Sequence, residues 1–138
     1  MSQTIRFGVS LEESLLRQFD RFIVEHRYPS RSEAIRDLIR DRLVSREWAV
    51  GKQVVGSVTV VYNHHVPGLN ARLTDLQHHF CGSIISTLHV HLDRDNCLEV
   101  LVVRGKSREV RMLAERLQSV RGVKHSTFTM TTTGRALR

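Results

Sequence analysis

Cysteines and long apolar runs are both scarce in this 138-residue sequence, and each shortage excludes a class of protein. With only Cys81 and Cys97, the chain cannot be a small fold held by a disulfide framework, so both cysteines are expected to be free thiols or metal ligands. No apolar run approaches membrane-spanning length, and the segment MSQTIRFGVS lacks the apolar core of a secretory signal. We therefore expect a cytoplasmic protein that makes no membrane contact.

The net positive charge is substantial, but its distribution along the chain is weak evidence for nucleic-acid binding. The formal net charge is +7, yet residues 1–49 hold nine Lys/Arg against eight Asp/Glu, and residues 50–138 hold twelve against six. The C-terminal excess is more typical of a solvated helix face than of a nucleic-acid-binding surface. The composition, with 41% hydrophobic and 25% charged residues, is that of a globular protein.

Residues 1–49 have the pattern strand, helix, helix. Apolar and polar residues alternate from Ile5 to Ser10, which predicts a short half-buried strand. Ser10 with Glu13 has the spacing of a capping box and predicts the start of an amphipathic helix. Ser30 with Glu33 repeats that spacing and predicts a second helix. The unit is too small to be stable alone, and its strand needs a partner, so we expect it to pair with the same strand of a second chain.

A two-stranded ribbon of this kind fits the major groove of DNA. The segments IRFGVSLEE and SRSEAIRDLIRDRL resemble the ribbon-helix-helix family of DNA-binding domains across residues 3–46. The resemblance implies that ribbon side chains read bases and that amides at the start of the second helix hold a phosphate of double-stranded operator DNA. The residues at these positions are Arg6, Gly8, Ser10, Ser30 and Arg31. Because Gly8 has no side chain, Arg6 would carry more of the base readout. The alternative is a strand and helical hairpin used only for dimerisation.

After a short connector, the pattern of the chain changes to β-α-β-β-α-β. The predicted strands cover residues 54–62, 84–92, 97–103 and 123–132, and the predicted helices cover 69–80 and 110–120. This order is ferredoxin-like, with one sheet and two helices on one face, and domains of the ACT type share it. We therefore predict an α+β protein with a DNA-binding domain at 1–49, a linker at 50–56 and an ACT-like domain at 57–138.

The stretch TLHVHLDRDNC brings three metal-ligand side chains together in the sequence. His89 and His91 share one face of the predicted strand. If the hairpin pairs symmetrically about Arg94, Cys97 lies opposite His91 and Glu99 lies opposite His89. A two-residue loop would turn Cys97 to the other face, so the metal hypothesis requires an odd-length loop or a bulge.

A fourth donor has to come from elsewhere in the assembly. His78 ends the preceding helix, but the intervening strand places that helix end about 15 Å or more from the hairpin end of the same chain. His78 could join the site only from a neighbouring subunit, which would make metal binding sensitive to subunit arrangement.

The combination of QHH, STLHVHLDRDNCLEV, RGVKH and RSEAIRD resembles the NikR family of nickel-responsive transcriptional regulators over nearly the whole chain. The resemblance implies a homotetramer, a dimer of dimers, that binds one Ni(II) per subunit in a planar site. The implied ligands are His89, His91 and Cys97 of one subunit and His78 of another. The residues implied to orient them by hydrogen bonds are Tyr62, His64, Gln77 and Glu99. The resemblance also implies a cation between the domains, held by Glu33 and Asp37, although helix capping and surface charge explain those two residues equally well.

Several other interpretations remain open at the level of sequence. The protein could sense cobalt, copper or zinc, because imidazole and thiolate ligands suit these ions too. A metalloenzyme is less favoured, because four protein ligands leave no open position for water or substrate. An ACT-type domain could also sense a small organic effector. His64, His65, His79 and His125 could form auxiliary metal sites, although solvated surface histidines are the simpler interpretation.

Overall fold

The computed structural model describes residues 3–137, which form two compact units. The first unit contains the described residues up to Leu43, together with Ala136 and Leu137. The second unit is Val44–Arg135. Among the described residues, no helix is both long enough and apolar enough to cross a membrane.

Two helices dominate the first part of the chain: α1 (Glu13–Glu25) and α2 (Arg31–Ala49). The predicted cap of α2 is confirmed, because Ser30 Oγ accepts a hydrogen bond from the backbone N–H of Glu33 at 3.2 Å. The predicted capping box of α1 is wrong. Its N-cap residue is Glu12 and no side chain caps it, because α1 begins too far along the chain for Ser10 to be its N-cap.

The segment before α1 differs from the sequence-based prediction. Residues 3–12 form no strand, and Ile5, Phe7 and Val9 are 79%, 72% and 60% exposed. A strand is stabilised by the ladder it shares with a partner, and the expected partner of Ile5–Ser10 belongs to a second chain. One chain therefore leaves the alternating apolar side chains uncovered, as is typical of a surface that another protein surface covers.

The end of α1 contains a non-glycine residue in the left-handed region. Arg27 has φ 57°. The backbone N–H of Arg27 bonds to Val24 O at 3.2 Å, and that of Tyr28 bonds to Ile23 O at 3.0 Å. This is the paired hydrogen-bond pattern of a Schellman motif, whose left-handed position favours glycine. The Cβ of Arg27 thus strains the end of the helix.

Arg27→Gly is expected to stabilise the protein by about 0.5–1 kcal/mol. Relief of the left-handed strain gains about 1–2 kcal/mol, and the greater freedom of glycine in the unfolded chain takes part of it back. Urea unfolding of the metal-free protein measures the difference. Arg27→Ala is the control, because alanine keeps the Cβ and should gain nothing. Equal stabilisation by both variants would show that the arginine side chain, not the backbone, is the unfavourable element.

The second unit contains the predicted βαββαβ fold. Its elements are β1 (Gln53–Asn63), α3 (Leu69–His79), β2 (Ile84–His91), β3 (Asn96–Lys106), α4 (Ser107–Gln118) and β4 (Val123–Thr131). The sheet order is β2-β3-β1-β4, and all neighbouring strands are antiparallel. The α+β, ferredoxin-like prediction is confirmed. The largest differences in the bounds are at β3, which continues to Lys106 instead of ending at 103, and at α4, which begins directly after it at Ser107 instead of at 110. β1 begins at Gln53, inside the span given to the linker.

Burial alternates along the two central strands because one face of the sheet is covered by the helices. In β1 the buried positions are every second residue from Val54 to Tyr62, and in β3 they run from Cys97 to Val103. Apolar side chains of α3 and α4 complete this core, including Leu73 and Leu113. The register therefore points Cys97 and Glu99 into the layer between sheet and helices.

Candidate metal centre and DNA-binding residues

The β2–β3 hairpin sets the geometry of the candidate metal centre. The backbone N–H of Leu92 bonds to Asn96 O at 2.9 Å, which leaves a three-residue loop. Its first residue, Asp93, accepts hydrogen bonds at Oδ1 from the backbone N–H groups of Asp95 and Asn96, both at 2.8 Å. The pKa of Asp93 is lowered to about 2 by hydrogen bonds from the side chain of Asn96, from the backbone N–H of Asn96 and from the backbone N–H of Asp95. The carboxylate thus stays ionised and fixes the turn.

The odd-length loop gives the predicted register. His91 pairs with Cys97, and His89 pairs with Glu99. Cys97 Sγ lies 3.4 Å from Nδ1 of His91. The symmetric pairing about Arg94 is therefore confirmed, and a histidine and a cysteine from adjacent strands meet on the helix-facing side of the sheet.

A third donor, His64, joins this pair within the same chain. Ligand atoms of His64, His91 and Cys97 all lie within 4.8 Å of one another. His64 follows β1, and its Nε2 lies 2.8 Å from the carbonyl oxygen of Arg94. A carbonyl only accepts, so this contact places the ring proton on Nε2 and leaves the lone pair on Nδ1. The family resemblance implies an orienting role for His64, and an auxiliary metal site was the other interpretation; neither predicts its position beside His91 and Cys97.

The other two predicted ligands lie outside this three-donor group. His89 is exposed, and its ring centroid is 5.1 Å from that of His91 and 6.2 Å from that of Tyr62. His78 is exposed in the last turn of α3. The described chain thus places His89 next to the site and leaves the His78 side chain accessible to solvent.

Glu99 links three elements beneath the histidines. It is 7% exposed, and its carboxylate accepts hydrogen bonds from Tyr62 Oη at 3.2 Å and from Gln77 Nε2 at 2.7 Å. Burial, followed by the charge of Glu99, raises the pKa of Tyr62 above its ordinary value, so the phenol remains a donor. Three of the residues predicted to orient ligands, Tyr62, Gln77 and Glu99, therefore form one network that joins β1, β3 and the end of α3.

The donor set fits a soft or borderline transition metal. Imidazole nitrogen and thiolate sulfur suit nickel, copper and zinc, whereas calcium and magnesium prefer oxygen ligands. Cys97 has no exposed surface, and burial, followed by the charges of Asp93 and Glu99, raises the pKa of its thiol. A metal ion must displace that proton to gain the thiolate, so binding releases a proton and weakens in acid.

An open pocket leads to this group of donors. It has a volume of about 410 Å³, and its walls include Tyr62, Thr74, His89, His91 and Glu99. The pocket lies between the hairpin and α3, and His64 and His91 of the three-donor group line it.

The predicted DNA-binding residues lie in the first unit. Arg6, Gly8 and Ser10 belong to the exposed segment before α1. Ser30 caps α2, and Arg31 is its first residue. The Arg31 guanidinium donates two hydrogen bonds of 2.9 Å to Asp20.

The two carboxylates predicted to hold an inter-domain cation both have partners within the chain. Glu33 forms an ion pair with Arg36. Asp37 accepts a hydrogen bond from Tyr28 Oη at 2.8 Å. In this structure they act as a surface ion pair and a link between Tyr28 and α2.

The auxiliary histidines are placed apart from one another, with one exception. His65 lies against His64, with ring centroids 3.9 Å apart, and its Nε2 is 3.3 Å from Asp95 Oδ1. His79 packs on Phe80, and His125 is exposed on β4. His64 alone among them belongs to the three-donor group.

A DNA-binding ribbon-helix-helix segment joined to an ACT-like domain with histidine and cysteine donors defines a metal-responsive transcriptional regulator. Residues 5–48 match the family of ribbon-helix-helix proteins of the copG type, and residues 55–131 match the NikR C-terminal nickel-binding domain. The chain belongs to the NikR family, the nickel-responsive transcriptional regulators. The prediction of a regulator and not an enzyme is thereby confirmed.

Relatives of similar length support this assignment. Proteins described as "Putative nickel-responsive regulator" from Geotalea uraniireducens and Geobacter sulfurreducens are 57% and 58% identical over 138 residues, with 99% of each chain covered. One from Pyrococcus abyssi is 53% identical over 134 residues, covering 96% of this chain and 97% of its own. An uncharacterized protein from Thermotoga maritima has a solved structure with TM-score 0.52 and 15% identity, covering 57% of this chain and 98% of its own. That likeness concerns the fold alone.

Proposed function

We propose that this regulator binds operator DNA when Ni(II) occupies a site shared by two subunits, and that it thereby represses nickel-uptake genes. The observation that carries the proposal is the hairpin register, which sets His91 against the buried Cys97. A nitrogen and a sulfur donor on a rigid two-stranded scaffold give an ion part of its coordination and leave positions for donors from outside the hairpin. Binding of operator DNA places its action in the cytoplasm.

The proposed ligands are His89, His91 and Cys97 of one subunit and His78 of the partner subunit, with one Ni(II) per subunit. Two features support a contribution from a second chain. His78 is exposed at the end of α3, and the strand between it and the hairpin is extended. His64 is the alternative third donor, because it already lies beside His91 and Cys97.

The hydrogen-bond network around Glu99 connects the end of α3, which carries His78, to the hairpin that carries His89. Gln77 bonds to Glu99, and Glu99 pairs with His89 across the hairpin. The same carboxylate thus fixes the residue before His78 and lies opposite a proposed ligand. Removing a residue that orients a ligand commonly changes metal affinity by about 10–100-fold.

Coupling to DNA follows from assembly. The uncovered apolar residues before α1 require a second chain to complete the ribbon, so DNA is bound by a dimer. We propose a homotetramer, a dimer of dimers, in which the ACT-like domains associate and carry a ribbon dimer at each end. Nickel favours DNA binding only to the extent that it binds the DNA-competent arrangement more tightly than the others.

The test is a DNA-binding titration with and without one equivalent of Ni(II) per chain, on duplexes selected by the nickel-loaded protein from a random-sequence pool. We expect nickel to tighten DNA binding by about 5–150-fold or more, the range typical of allosteric coupling. Parallel titrations with Co(II), Cu(II) and Zn(II) separate a nickel sensor from a sensor of another metal. Equal affinity for DNA in all of these titrations would contradict regulation by metal.

A further inference from the structure

The side chain of Arg31 is fixed by a partner on the other helix. Its Nε donates to Asp20 Oδ1 and its Nη2 to Asp20 Oδ2, both at 2.9 Å. This is the two-pronged geometry in which a guanidinium matches a carboxylate. The hydrogen bond from Arg31 also lowers the pKa of Asp20, so the carboxylate remains ionised at neutral pH.

This ion pair is expected to contribute little to the folding stability of the protein. The side chains of Arg31 and Asp20 are 58% and 44% exposed. Ion pairs at such exposure contribute little to folding, because water and salt screen them and because two long side chains lose rotational freedom. The pair nevertheless holds Arg31 in one conformation at the first position of α2.

The pair leaves most of the donors of Arg31 unused. A guanidinium has five N–H groups, and Asp20 takes two of them. The backbone N–H groups in the first turn of a helix lack intrahelical partners, and in the described part of the chain Ser30 Oγ accepts the one from Glu33. The start of α2 therefore combines a fixed cation with the N–H groups of a helix N-terminus, the chemistry that binds a phosphate.

We infer that Asp20 is a positioning residue for DNA binding, which holds Arg31 ready to contact the same backbone phosphate as the first turn of α2. The inference rests on the proposed DNA-binding function and adds a residue to it. Asp20 itself touches no DNA. It acts by removing the rotational freedom of Arg31 before DNA arrives, so that this cost is not subtracted from binding.

The sign of the effect makes the inference testable. A carboxylate near DNA repels phosphates, so simple electrostatics predicts that Asp20→Asn binds DNA more tightly. Positioning predicts the opposite, namely that Asp20→Asn binds more weakly by about 2–10-fold, the cost of immobilising one flexible side chain. A loss of affinity therefore cannot come from the removed charge.

The experiment measures affinity of the nickel-loaded full chain for the selected duplex as a function of salt. The variants are Asp20→Asn, Asp20→Glu, Arg31→Ala and the double variant Asp20→Asn with Arg31→Ala. The matched control is Glu13→Gln, which removes the same charge from another exposed ion pair of α1, that between Arg17 and Glu13 at 3.1 Å. Circular dichroism and thermal unfolding establish that each variant is folded.

We expect Asp20→Asn to bind more weakly and Asp20→Glu to recover part of the loss, while Glu13→Gln binds as well as wild type or better. Arg31→Ala should lower the slope of log affinity against log salt by about one phosphate contact. The double variant should bind like Arg31→Ala, because Asp20 acts only through Arg31. Unchanged or tighter binding by Asp20→Asn, or a further loss in the double variant, would overturn the inference. If wild type shows no nickel-dependent DNA binding, the proposed function fails instead.

Discussion

Cys97→Ser is expected to weaken nickel binding by more than about 100-fold, since even the loss of a residue that only orients a ligand costs about 10–100-fold. The thiol has no exposed surface, lies 3.4 Å from His91 Nδ1 and belongs to the three-donor group. A serine hydroxyl keeps its proton and offers a harder oxygen donor. Equilibrium dialysis measures the affinity, and the near-ultraviolet absorption of a sulfur-to-nickel charge transfer should disappear.

Cys81→Ser is the matched control for that variant. Cys81 is exposed and lies outside the three-donor group, so its substitution should leave nickel affinity and the absorption band unchanged. If Cys97→Ser retained the charge-transfer band while Cys81→Ser lost it, the metal centre would have been assigned to the wrong cysteine.

The hairpin could be predicted from sequence because its geometry is local. Cys97 follows His91 by six positions, and the three-residue loop that begins with Asp93 is closed by hydrogen bonds from Asp95 and from Asn96, the first residue of β3, to the Asp93 carboxylate. Once the loop has an odd number of residues, the two-residue period of the strands decides which side chains meet. Contacts outside the hairpin are therefore not needed to predict which of its side chains face one another.

His64 shows what local patterns leave out. It approaches the hairpin because β1 pairs with β3 so that Asn63 lies opposite Asn96, and the next residue then reaches the loop. That pairing joins residues more than thirty positions apart, and hydrophobic periodicity carries no information about its register.

The segment before α1 shows a different limit. Its apolar residues alternate as in a strand, but the proposed partner of that strand is a second chain, and the described chain by itself shows exposed apolar residues instead. The same reasoning applies to His78. If it completes the site of another subunit, as we propose, distances within one chain cannot locate it.

Mixing two defective chains is expected to restore nickel sites that neither chain forms alone. His78→Ala lacks the donor proposed to come from α3, and Cys97→Ser lacks a donor of the hairpin. If each site takes a hairpin from one chain and a helix from another, random assembly of equal amounts gives about a quarter of the sites an intact donor set. Tight nickel binding, counted per chain after the two variants are unfolded and refolded together, should rise from none to that fraction.

The result separates a shared site from one enclosed in a single chain. When all donors belong to one polypeptide, every chain in the mixture still lacks one of them, so mixing restores nothing. Each variant refolded alone provides the baseline, and refolded wild type shows that the procedure preserves tight binding. Tight binding by His78→Ala alone would mean that His64 or another donor of the same chain completes the site. Nickel would then need no partner subunit, and its coupling to DNA would have to arise within each chain.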